Sequence, residues 1–169
     1  MFMLSEQEIG IITEQIGRAP RGAVKVVAQS GGVPLVLKMR SVVEGKPFPT
    51  LYWLTSKTLY KAIAGLETAG LVKELEQKIV DDASFKQAYL EDQARYIHSR
   101  TDSMLPEDKQ SLIKMGLFEK FQQQGIGGLA NLEQIRCLHM QYAFHLAEGS
   151  VIGDYLDQHH GLSALDITG

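Results

Sequence analysis

The pattern of apolar and polar positions changes period along the chain. Ser5-Glu6-Gln7-Glu8 opens with a capping box, a Ser cap followed three residues on by Glu. Ile9, Ile12 and Ile16 recur at helical spacing and Gly17 supplies a stop, which predicts a short amphipathic helix over 5–16. Residues 23–29 and 33–40 are instead rich in Val and Leu. Ser30-Gly31-Gly32 between them permits the positive φ of a tight turn, so the two runs predict a β-hairpin. Gly45-Lys46-Pro47-Phe48-Pro49 breaks the pattern. The aromatic, β-prone run at 50–54 then predicts a third strand.

The remainder has helical spacing. Thr55 or Ser56 caps a helix with Leu59, Ile63 and Leu66 on one face, ending at Gly70. A second helix is expected from about 72 to 100, broken near Asp81-Asp82. Pro106 opens a third, to about 124. Residues 125–130 read as a loop. Asn131 and Gln134 form another capping box, from which a fourth helix runs to Gly149, and a short last helix covers 154–159. The expected class is α+β: a small antiparallel sheet of about three strands near the N-terminus, covered by four to six helices.

A chain of 169 residues fits a single domain, 1–169, with 156–169 expected as a tail. Lys and Arg number 17 against 20 Asp and Glu, and this acidic balance counts against nucleic acid as partner. The single cysteine, Cys137, excludes an internal disulfide and a multi-cysteine zinc site. The first residues lack a basic region and meet Glu6 and Glu8, unlike a signal peptide, and no apolar run approaches the ~18 residues of a membrane span. The expected location is the cytoplasm.

Four features carry candidate chemistry. Residues 56–72 resemble the recognition helix of winged-helix repressors, with Lys57, Thr58 and Lys61 as groove-facing groups. The charged, helical run 73–78 stands where a wing needs strands, so core packing is the expected role. The aromatic run Phe48, Tyr52, Trp53 and Tyr60 offers a partner surface if exposed, which makes a non-enzymatic interaction module the alternative function.

The third feature is the histidine-bearing helix. At about 100° per residue, Cys137 and His139 point about 160° apart on one helix, so neither a metal site nor any cofactor is expected. The fourth is an anion site in three parts. The loop holding Gly127 and Gly128 precedes a helix start, where backbone N–H groups and the helix dipole favour an oxyanion. Arg136 and His139 follow on that helix. Arg18 and Arg21 flank Pro20 in an early loop and suit a phosphate or carboxylate. Together they predict a pocket for a small anionic, phosphate-bearing ligand, with His139 as candidate general acid or base.

Taken together, GRAPRGAVKVVAQSGGVPLVL (17–37), GKPFPTLYWLTSKTL (45–59), AIAGLETAGLVKEL (62–75), GIGG (125–128) and IRCLHMQYAFHLAEGSVIGDY (135–155) resemble a bacterial family named only as domain of unknown function 501. The likeness covers about residues 15–155 and implies a bacterial protein without implying a mechanism. Many members carry Cys directly after the YWLT segment; Ser56 stands there in this chain.

Overall fold

The computed structural model describes residues 3–169; Met1 and Phe2 of the expected domain lie outside the described residues. Helix α1 (Glu6–Ile16) starts on a reciprocal box: the Glu8 N–H donates to Ser5 Oγ and the Ser5 N–H donates to the Glu8 carboxylate. Gly17, at φ 75°, ends it in the left-handed region that a side chain disfavours. Strands β1 (Ala23–Ser30) and β2 (Val33–Met39) form the expected antiparallel hairpin. A two-stranded ribbon of β3 (Val42–Val43) and β4 (Lys46–Pro47) follows, and β5 (Tyr52–Leu54) pairs with β2. The order in the main sheet is β1-β2-β5, with Leu37 opposite Trp53 and Lys38 opposite Tyr52.

Both faces of central β2 are covered, which is why Leu35, Val36, Leu37 and Met39 are all buried. Leu37 and Met39 join Ile12 of α1 in a small cluster on one face. Leu35 and Val36 belong to the large core on the other. That core is built by α2 (Lys57–Thr68), α3 (Leu71–Asp81), α4 (Ala83–Asp102), α7 (Leu138–Glu148) and α8 (Val151–His160), where Ile63, Leu75, Tyr89, Phe144 and Leu156 are almost wholly enclosed. Helices α5 (Pro106–Lys114) and α6 (Phe118–Phe121) complete the set, giving eight helices among the described residues around a small antiparallel sheet. The fold is α+β.

The break near Asp81-Asp82 is real. Asp82 is extended, and its carboxylate takes the Phe85 N–H to cap α4. The helix expected over 106–124 is two, divided at Gly116, whose φ of 72° ends the first. The larger departure is at 131–137. The helix expected from Asn131 begins only at Leu138, and Cys137 is its extended N-cap. Tertiary bonds hold the preceding residues in a loop: the Ile135 N–H donates to Glu76, Tyr89 Oη donates to the Gln134 carbonyl, and Gln93 donates to the Leu132 carbonyl. The Asn131 side chain caps only the local turn, accepting from Glu133.

Within the expected tail, 156–169, part of the chain is anchored to the fold. Leu156 and Leu162 are buried, the Thr58 N–H donates to the Gly169 carbonyl, and the Ser56 hydroxyl donates to the same oxygen at 3.0 Å.

Candidate functional site

A cavity of about 490 Å³ opens where the α1–β1 loop, β5, α2 and the start of α7 meet. Its size suits a small metabolite. Side chains alternate along β5, so Tyr52 and Leu54 enter the large core and Trp53 faces the other way, and all three line the cavity at this edge strand. Its ring lies 6.4 Å from Phe48, and the Arg18 guanidinium sits 5.2 Å from its centroid, a cation–π distance. Arg18 has no carboxylate partner among the described residues. Tyr60 and Glu67 are seven positions apart on α2, two turns along one face, so both line the wall.

Glu67 organises the start of α7. Its Oε2 accepts the Leu138 N–H at 2.7 Å, and its Oε1 lies 3.3 Å from His139 Nδ1. The anion attracted by this helix N-terminus is therefore the protein's own carboxylate. His139 Nε2 is 3.1 Å from the Tyr60 carbonyl, and the His139 and Tyr60 rings lie tilted with centroids 4.0 Å apart. A carbonyl only accepts, so Nε2 carries a hydrogen, and Nδ1 is the ring nitrogen that faces Glu67.

Cys137 caps α7 through its sulfur, which takes the Met140 N–H at 3.5 Å. Burial pushes the Cys137 thiol above its ordinary value; the Met140 N–H opposes this and the Glu67 charge adds to it. Because Cys137 is extended rather than helical, the expectation that it points away from His139 does not hold. Sγ of Cys137, a carboxylate oxygen of Glu67 and a ring nitrogen of His139 lie within 4.8 Å of one another. These three are the residues that could hold a metal ion.

Of the residues singled out in the sequence for an anion, Arg18 and His139 share this cavity. The other four do not line it. Arg21 turns away and pairs with Glu44 at 2.6 Å, both side chains well exposed. Gly127 and Gly128 adopt φ of 81° and 73°, yet the Gly128 N–H donates to the Gly125 carbonyl and the Ile126 N–H to Gln93, so these donors are used within the fold. The Arg136 stem lies against Gly127, where an added Cβ would stand 2.8 Å from that of Arg136. The glycine loop does not run into a helix start, since residues 129–137 intervene.

The aromatic run does not form one exposed face. Tyr52 is buried with its hydroxyl donating to Glu148, which together with burial pushes it well above its ordinary value, whereas Tyr60 is 55% exposed. Gly70 leads α2 directly into α3, so helix stands where the repressor likeness requires a wing. Glu67 and the Tyr60 carbonyl are site groups that sequence reading missed. The only signal for Glu67 was its seven-residue spacing from Tyr60 on α2, and the backbone carbonyl has no signal at all.

A second hollow of about 490 Å³ is lined mainly by apolar groups such as Leu4, Ile9, Pro20, Val42 and Val43. Its charged residues are occupied, Arg21 by Glu44 and Arg40 by a forked contact with Asp108. It brings no reactive groups together. No helix among the described residues is long and apolar enough to cross a membrane.

The family model described as "Protein of unknown function (DUF501)" matches residues 26–158, most of the chain, and the chain belongs to that family. The match contains β5, α2 and α7 but begins after Arg18. No curated protein and no solved structure matches it.

Proposed function

Starting from a family whose description assigns no activity, we propose that this protein binds a small anionic ligand, such as a phosphate-bearing metabolite, in the cavity between Trp53 and the start of α7. The observation that carries the reading is Arg18: a guanidinium without a carboxylate partner among the described residues, held over Trp53 at the mouth of a cavity shared with His139. Arg18 receives the anionic group and the aromatic walls hold the body of the ligand. Phe48 and Trp53 supply flat apolar surface, and Thr50 a hydroxyl. The reading narrows the anion site anticipated from sequence to Arg18 and His139. It is one of binding; both ring nitrogens of His139 already have neighbours, and no proton transfer is invoked. A bacterial cytoplasm is part of the same reading.

Trp53 is the only tryptophan, so its fluorescence reports on the cavity directly. Titration with phosphate monoesters and aromatic carboxylates should give saturable quenching with at least one class. A charge-assisted contact is worth about 1.5–3 kcal/mol, so Arg18→Ala should weaken binding roughly 10- to 100-fold. Arg21→Ala should bind as wild type. Absence of saturation with every ligand, or equal binding by Arg18→Ala, would refute the reading.

A further inference from the structure

We propose that Glu67, Cys137 and His139 hold a divalent cation of the zinc class, with its fourth coordination position open to the cavity. This goes beyond anion binding and stands without it.

The donor set has the right spacing. Tetrahedral zinc with bonds of about 2.0–2.3 Å separates its donors by roughly 3.3–3.8 Å. Glu67 Oε1 and His139 Nδ1 are at 3.3 Å, and all three donor atoms fall within 4.8 Å of one another. Closing the site requires the sulfur to draw in by about an ångström, within reach of a side-chain rotation.

The surroundings orient each donor toward a common point. His139 Nε2–H donates to the Tyr60 carbonyl, which turns Nδ1 toward Glu67; ligating histidines are commonly fixed in this way. Glu67 Oε2 is pinned by the Leu138 N–H, which leaves Oε1 facing that nitrogen. The Met140 N–H points at the Cys137 sulfur and supports a thiolate.

Charge and softness agree. A thiolate, a carboxylate and a neutral imidazole carry two negative charges, which a divalent ion neutralises. Sulfur and nitrogen donors select zinc or cobalt over magnesium or calcium. On binding, the sulfur–metal bond forms as the thiol proton leaves to solvent. Three protein donors with one open position is the arrangement of a zinc site that accepts an exogenous ligand, and all three donors line the cavity.

The test is titration of the metal-free protein with Co²⁺, then Zn²⁺, with no organic ligand present, so its failure leaves the anion reading untouched. The expected result is one Co²⁺ per chain, a sulfur-to-cobalt charge-transfer band in the near ultraviolet, and loss of that band as Zn²⁺ displaces cobalt. Cys137→Ser retains a capping hydroxyl and should abolish the band. Glu67→Gln and His139→Gln should each weaken Co²⁺ binding by at least about tenfold. Circular dichroism of each metal-free variant checks that it folds, and the wild-type spectrum decides the matter should a variant unfold. Co²⁺ bound without the band, no binding at millimolar metal, or wild-type affinity in folded Glu67→Gln and His139→Gln would overturn the site.

Discussion

Arg100 offers the most demanding test of how the cavity wall is held. It is 1% exposed, near the end of α4, with no carboxylate partner among the described residues. Its Nη1 donates to the Pro49 carbonyl at 2.8 Å, and its Nη2 donates to the carbonyls of Phe121 and Gln124. Tyr96 and Phe121 lie against the guanidinium. The fork thus ties the segment entering β5 to the end of α6. Arg100→Met fills much of the volume but leaves three inward carbonyls without this donor. Each costs about 1–3 kcal/mol, and the relieved desolvation of the cation offsets part of the total. A net loss of about 3–5 kcal/mol follows, a large share of the ~5–15 kcal/mol typical of a folded domain. At this chain length that lowers Tm by roughly 6–20 °C. Arg100→Lys keeps the charge without the fork and should recover less than half of the loss. Urea unfolding followed by far-ultraviolet circular dichroism and Trp53 fluorescence measures both. An Arg100→Met protein within about 1 kcal/mol of wild type, or full rescue by Arg100→Lys, would refute the argument.

Three further outcomes follow from other contacts. Gly153 packs against the ring of His145, which is held between Asp157 and the Ser150 N–H; a Cβ at 153 would overlap that ring, so Gly153→Ala should cost about 1–3 kcal/mol or more in a thermal melt. With its thiol raised mainly by burial, Cys137 of the metal-free folded protein should alkylate with iodoacetamide much more slowly at mildly alkaline pH than the urea-unfolded chain, and equal rates would contradict the assigned environment. The Asp82 carboxylate lies below its ordinary value chiefly because it takes the Phe85 N–H. Its contribution is therefore present above the unfolded value and lost as pH falls through the folded one, so Asp82→Ser should flatten the loss of stability below about pH 4, read from urea midpoints.

The elements that sequence reading located are those whose determinants are local. The Ser5–Glu8 box, the Gly31-Gly32 hairpin turn, the Ser56 cap and the Asp82 break each depend on residues within about four positions. The start of α7 is not. Asn131 with Gln134 looks like a better cap than Cys137, and local preference selects it. Side chains from 39 to 71 positions away decide otherwise, as Gln93, Tyr89, Glu76 and Glu67 supply the backbone partners of residues 132–138.

The candidate site divides along the same line. Arg18 and His139 were recognisable as residue types suited to an anion. That they share a cavity, while Arg21, Gly127, Gly128 and Arg136 stay outside it, is a property of packing. Glu67 joins the site because α2 crosses the start of α7, and Cys137 joins because the helix cap lies six residues on, at Cys137 instead of Asn131, which turned its sulfur. The sequence by itself determined the α+β class, the hairpin and the caps of the first two helices, since period and capping act over a single turn. Only the tertiary structure decided the site, because burial rewards partners distant in the chain for satisfying backbone groups that local chemistry leaves open.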